Sequence, residues 1–183
     1  MGQLDILVEA SGAKWVKVGP RSGLLDGPEG PNEVFPVLLT GTHRRTLDEK
    51  KRLTLPKKLR EVLGDPAVLY VAPGPDKCLW VHTERELERL ASRLDERPAT
   101  DAEARIFRRL YFGQTELVEV DKAGRVLVPE RLAQLACLTG EVVLLGVRDH
   151  LELWDAAHWD KYRNEHEPQF DSLAQGAFEL KGL

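Results

Sequence analysis

The chain has 183 residues, with 26 Lys and Arg against 30 Asp and Glu, for a formal net charge of −4. At 42% hydrophobic and 31% charged it can bury a real core, while its longest apolar runs, such as 142–147 interrupted by Gly146, fall far short of the roughly 18 to 20 residues that span a bilayer. Two cysteines, Cys78 and Cys137, make no disulfide framework and no secretory leader pattern opens the chain, so a reducing cytoplasm is the expected setting; the acidic total argues against a polyanionic partner.

In chain order, residues 1–36 carry six Gly and four Pro, with strand-like pieces at 4–8 and 15–18. They read as a disordered arm, an appended hairpin, or sequence upstream of a later start near Val34, Val37 or Leu38. Residues 42–47 alternate weakly and meet Asp48-x-x-x-Arg52, a polar turn. Leu53-Thr-Leu55 is a short β-type run, and Pro56 opens a short helix to about residue 63, with Leu59, Val62 and Leu63 on one face. Strands are expected at 67–72 and 78–82, then a longer helix behind the capping box Thr83-x-x-Glu86.

Pro98 to Asp101 breaks the chain, and a helix over 101–111 follows, capped by Thr100 or Asp101. Ala104, Phe107, Leu110 and Tyr111 give it an apolar face; Arg105, Arg108 and Arg109 beside that face read as solvated surface rather than an anion site. The same succession then recurs. A strand leads to Asp121-x-x-Gly124-Arg125, with Gly124 tolerating positive φ, then the run Val126-Leu-Val128. A helix over 129–136 turns Leu132 and Leu135 inward, strands follow at 141–147 and 150–154, and Asp155 caps a last long helix. The residues after 165 are acidic and read as a partly disordered tail.

The recurrence is an internal repeat. At an offset of 73, Thr42, Asp48, Arg52, Pro56 and Leu59 reappear as Thr115, Asp121, Arg125, Pro129 and Leu132. One inserted residue later, Val68, Leu79 and Trp80 reappear as Val142, Leu153 and Trp154. The unit is β-turn-β-α-β-β-α, twice, most simply packed as a pseudo-twofold pair.

Charge is divided unequally between the copies. Residues 41–60 hold eight cations against Asp48 and Glu49, a net +6, while the counterpart 114–133 sums to −1 and the stretch 149–183 to −5. Local potential, more than total charge, governs association with polyanions.

At these residues the sequence resembles the MraZ family, which carries two SpoVT-AbrB-type modules. The resemblance rests on Leu47-Asp-Glu-Lys-Lys-Arg-Leu-Thr-Leu-Pro56, Ala104-Arg-Ile-Phe-Arg-Arg109, Phe112-Gly, Val120-Asp-Lys-Ala-Gly-Arg-Val-Leu-Val-Pro129, and Leu145-Gly-Val with Leu151-Glu-Leu-Trp154 and Trp159. It spans about residues 38–165 in order. It implies an α+β fold in which tandem modules form a pseudo-twofold intertwined β-barrel with flanking helices. The chain then divides into an N-terminal extension, 1–37, a first module, 38–97, a linker helix, 98–112, a second module, 113–164, and an acidic C-terminal tail, 165–183.

The resemblance also implies function: a sequence-specific regulator that binds short repeated boxes in double-stranded DNA at the promoter of the bacterial division and cell-wall gene cluster. Its subunits would assemble into homo-oligomeric rings, cytoplasmic and associated with the nucleoid. The Asp-x-x-x-Arg arginine of the first module, here Arg52 with Asp48 as its motif partner, is the residue carried over to the DNA face. The charge count supports the same half, so Arg52 is assigned to base or phosphate contact and Arg44, Arg45, Lys50, Lys51 and Lys57 to phosphates. Asp48, Asp121 and Arg125 are expected to hold their turns. Two positions depart from the family pattern: Lys51 stands where glycine is usual, opening the first turn to a different backbone conformation, and His43 where an aromatic is usual.

Nothing points to catalysis. His43, His82, His150, His158 and His166 make no metal-ligand spacing with the cysteines, and no phosphate loop or nucleophile elbow occurs. No cofactor, metal, membrane or small-molecule substrate is expected. The alternatives are an AbrB-type antitoxin or transition-state regulator, which the duplication disfavours, and an oligomeric scaffold without DNA binding.

Overall fold

A computed structural model describes residues 38–178; the strand-like pieces at 4–8 and 15–18 and the rest of the expected N-terminal extension lie outside the described residues. The first repeat gives β1 (Thr42–Thr46), β2 (Arg52–Thr54), α1 (Lys57–Val62), β3 (Val68–Pro73), β4 (Leu79–His82), α2 (Glu84–Asp95) and α3 (Ala102–Phe112). The second gives β5 (Glu116–Glu119), β6 (Arg125–Leu127), α4 (Glu130–Leu135), β7 (Glu141–Val147), β8 (His150–Asp155), α5 (Ala156–His166) and α6 (Phe170–Phe178). The order matches the expected unit with one addition: the helix read as a linker, α3, has a counterpart in α6, where an acidic tail was expected.

Pairing exchanges strands between repeats. A six-stranded antiparallel sheet runs β1-β7-β8-β4-β3-β5, so the first strand of each repeat lies on the hairpin of the other. β2 and β6 form a separate two-stranded ribbon. The strands thus make two antiparallel sheets where a single closed barrel was expected. Turn bonds join them: Asp48 N–H to the Arg52 carbonyl at 3.0 Å and Asp121 N–H to the Arg125 carbonyl at 2.9 Å.

The register reveals the pseudo-twofold axis. Leu53 faces Val126 across the ribbon, and Leu79 faces Leu153 across the centre of the sheet. Each pair joins equivalent positions of the two repeats, so both lie on the axis. All four side chains are buried in one core, between the inner face of the ribbon and the sheet. Each such side chain contributes about 2 kcal/mol by leaving water. A second cluster on the other side of the sheet packs Cys78, Val143, Leu145 and Trp154 under α5, with Trp159 and Tyr162 against them.

The caps match their sequence signals. Thr83 accepts from the Glu86 N–H, Asp101 from Ala104, and Asp155 from Ala157 and His158. The Thr83 box closes on one side only, because the Glu86 carboxylate pairs with Arg89 at 2.7 Å. Pro56 and Pro129 stand just before α1 and α4, with φ of −55° and −58°. The expected inward faces are narrower than read. Leu59 and Leu132 are buried, but Val62 and Leu135 are 40% and 38% exposed. A residue three positions on lies about 60° behind, whereas four positions on lies about 40° ahead. The core meets that second side, covering Ala133 and Ala136.

Candidate nucleic-acid interface

The two Asp-x-x-x-Arg turns are built alike. Asp48 accepts from the Lys50 and Arg52 N–H groups at 2.9 Å each and from Arg52 Nε at 2.6 Å. Asp121 accepts from the Ala123 and Arg125 N–H groups at 2.8 and 2.9 Å and from Arg125 Nε at 2.7 Å. These bonds, led by the backbone N–H of the motif arginine, hold both carboxyls below the ordinary carboxylate range. Both aspartates therefore shape their turns.

The backbone corner is also shared. Lys51 has φ 57° and Gly124 φ 73°. Lys51 N–H reaches the Asp48 carbonyl at 2.9 Å, and Gly124 N–H reaches the Asp121 carbonyl at 2.8 Å. The first turn keeps the conformation of the second, against the expectation that lysine would alter it. Lysine bears the left-handed strain that glycine avoids.

Strand alternation sends Leu53 and Val126 inward and Arg52, Thr54, Arg125 and Leu127 outward. The outer face of the ribbon thus carries both motif arginines. Each commits Nε to its aspartate, and among the described residues neither makes another hydrogen bond through its terminal nitrogens. Sequence reasoning placed Arg125 apart as a turn residue; the ribbon brings it beside Arg52, because β2 pairs with β6.

The other candidates are dispersed. Arg44 on β1 is held by Asp160 of α5, a pairing that raises its pKa, and Arg45 Nη1 donates to the Arg44 carbonyl. These two arginines border a small cleft with Glu141 and Ala156. Lys57 lies 3.5 Å from Glu61 on its own helix. Lys50 and Lys51 make no ion pair among the described residues.

One feature of the ribbon's surroundings was hidden in the linear charge count. A cleft of about 550 Å³ holds Arg52 and Arg125 together with Glu116, Glu119, Asp121 and Glu130. The three glutamates are the repeat counterparts of His43, Thr46 and Lys57. The acidic members of the second repeat therefore stand beside the arginine of the first.

Among the described residues no cluster of His, Cys, Asp and Glu is arranged to hold a metal ion, and no helix is long and apolar enough to cross a membrane.

A family profile described as "MraZ protein, putative antitoxin-like" matches residues 38–110 and again 111–180. The protein named Transcriptional regulator MraZ from Desulforamulus reducens is 36% identical over 143 residues, 78% of this chain and 99% of the relative. Its namesake from Heliobacterium modesticaldum is 37% identical over 138 residues, 75% of this chain and 95% of the relative. That from Saccharopolyspora erythraea is 38% identical over 133 residues, covering 73% and 92%.

Proposed function

The chain belongs to the MraZ family, with two copies of its domain, and from that premise we propose that it regulates transcription by binding double-stranded DNA through the outer face of the β2–β6 ribbon. The observation that carries this reading is the pair of outward arginines, Arg52 and Arg125, each oriented by a turn aspartate. A two-stranded ribbon fits the major groove, and a guanidinium whose Nε is fixed can still present its terminal nitrogens to guanine or phosphate. Asp48 and Asp121 hold the arginines ready, which lowers the ordering cost on binding.

Within the ribbon, Arg52 is the leading contact. Its turn carries Glu49, Lys50 and Lys51 and is followed by Lys57, Lys58 and Arg60, whereas the turn of Arg125 carries Lys122, Ala123 and Gly124 and is followed by Glu130 and Arg131. Arg44, Arg45 and Lys57 supply phosphate contacts at the margins. The proposed target is the family's: short repeated boxes at the promoter of the division and cell-wall gene cluster, in the cytoplasm and on the nucleoid. Ring assembly places several ribbons along adjacent boxes, so weak contacts act together through effective concentration. In that assembly the modules 38–97 and 113–164, joined by 98–112, act as one intertwined unit.

Fluorescence anisotropy with the chain's own upstream DNA tests this. Sequence-preferring binding that weakens steeply with salt is the expected result. Binding that ignores both sequence and salt overturns it. A second reading, a scaffold that does not bind DNA, draws on Glu116, Glu119 and Glu130 beside Arg52; no binding at low salt would favour it.

A further inference from the structure

The outer face of the β2–β6 ribbon carries four side chains, Arg52, Thr54, Arg125 and Leu127. Three are polar and one is not. Leu127 points away from the core and is 55% exposed. The ribbon's share of the core is already supplied by Leu53 and Val126, which are buried on its inner face. At the repeat offset of 73, the counterpart of Leu127 is Thr54. The pseudo-twofold axis therefore relates one motif arginine to the other, but matches a leucine with a threonine.

Register sets Leu127 directly across from Arg52. Val128 N–H reaches the Lys51 carbonyl at 3.0 Å and Leu55 N–H reaches the Gly124 carbonyl at 2.9 Å, so 51–128 and 55–124 are hydrogen-bonded pairs. By alternation Arg52–Leu127 is a non-hydrogen-bonded pair, the kind whose side chains stand closer, with β-carbons about 4.5–5.5 Å apart. Successive nucleotides of one DNA strand rise about 3.4 Å. A guanidinium seated on a guanine edge thus carries the opposite leucine to the neighbouring base. The surrounding charge favours a base edge over backbone there. Leu127 lines the cleft of Arg52 together with Leu117, exposed to the same degree, and with Glu116, Glu119 and Glu130, whose carboxylates repel a phosphate. The apolar group that a base pair shows in the major groove is the thymine methyl.

We propose that Leu127 reads the methyl group of a thymine next to the guanine that Arg52 contacts. This role rests on the DNA reading proposed above and adds a specificity residue to it. The other half of the ribbon is more tolerant. Thr54, directly across from Arg125, offers a hydroxyl that can bond to different bases along with a smaller apolar group. Each bound box is therefore read in one direction, with its methyl-sensitive position on the Arg52 side.

The test takes the tightest-binding segment of the chain's own upstream DNA and replaces its thymines by deoxyuridine, one at a time. Each exchange removes a methyl group and keeps the base pairing. By fluorescence anisotropy the original chain is expected to lose about fourfold in affinity at one position, the value of one buried methyl group, and little at the others. That loss disappears in Leu127→Ala and stays in Thr54→Ala. Both positions are exposed, and melts within a few degrees of the original chain establish that the variants fold. Sequence-preferring binding with no methyl-sensitive position overturns the proposal and leaves the DNA reading standing. So does a sensitive position that survives in Leu127→Ala; an oligomer of altered size in that variant would then put the leucine between copies. Binding without sequence preference in the original chain removes the DNA reading and the proposal with it.

Discussion

Lys51 and Gly124 occupy the same left-handed corner of the two turns, with φ 57° and 73°, although only one is glycine. The same bond closes the turn onto the preceding aspartate in each repeat. The turn therefore imposes its conformation on lysine rather than yielding to it.

That strain predicts a stability gain. Left-handed backbone costs a residue with a Cβ roughly 1–2 kcal/mol, and the greater freedom of glycine in the unfolded chain returns part of it. Lys51→Gly is expected to stabilise by about 1 kcal/mol, a Tm rise of roughly 2–4 °C for a domain of this size. Gly124→Ala should do the reverse, because φ is positive and a Cβ there would stand 2.6 Å from Arg60 Nε. Thermal melts of both variants check the signs. DNA affinity should fall modestly in Lys51→Gly through the lost charge, so stability and binding move in opposite directions.

The motif arginines supply a second prediction. Both Arg52 and Arg125 fix their turns through Nε, so alanine at either should cost similar stability. Their binding roles differ if the lysines around them matter. Arg52→Ala is expected to weaken specific DNA binding by about 10- to 100-fold, the value of one good bidentate contact, and Arg125→Ala by several-fold less. Affinities measured by anisotropy, at a temperature where both variants are fully folded, decide it. Equal losses would mean that the ribbon is read symmetrically and that Lys50 and Lys51 contribute little.

Much of this arrangement was legible because it is local. Pro56 and Pro129, the Asp-x-x-x-Arg spacing and the caps Thr83, Asp101 and Asp155 each act within a few residues of chain, and all stand where their chemistry requires. Strand exchange is not local. Nothing in the alternation of 42–47 says that it will lie on β7 rather than on β3, because antiparallel pairing leaves no mark on the pattern of a single strand. Hence the charge count by segment was right about each repeat but wrong about the neighbours of Arg52. Its cleft takes Glu116, Glu119 and Glu130 from the other repeat. The helix α6 was obscured for another reason: Gly176 and the acidic residues before it read as tail, and the apolar stripe of Phe170, Leu173, Ala174, Ala177 and Phe178 emerges only at helical spacing.

A third prediction concerns the histidines behind the sheet. His82 is 4% exposed, and its Nε2 lies 2.8 Å from the Tyr111 hydroxyl. Burial first, and then the neighbouring His150, push its pKa down to about 4. The unfolded chain takes up a proton near pH 6.5 that the folded chain refuses. Stability from this residue is therefore present above pH 6.5 and lost as pH falls towards 4, by about 3 kcal/mol at the lower end. His150 acts in the opposite sense. Burial lowers its pKa, but the carboxylates of Glu152 and Asp149 more than offset this, and the net shift is upward. Its contribution is full below pH 6.5 and is lost as pH rises through its folded pKa. The two rings, 5.2 Å apart, should give a stability maximum near neutrality. Arg93 of α2, 3.7 Å from Asp149, adds positive charge that further disfavours protonated His82. Urea unfolding between pH 4.5 and 8 tests this: His82→Gln should flatten the acid limb and His150→Gln the alkaline one. The depressed carboxyls, Asp48 and Asp121 among them, lose their contribution only at lower pH. Those carboxyls stay ionised across this range, so an acid limb unchanged in His82→Gln would show that the buried imidazole does not carry the loss.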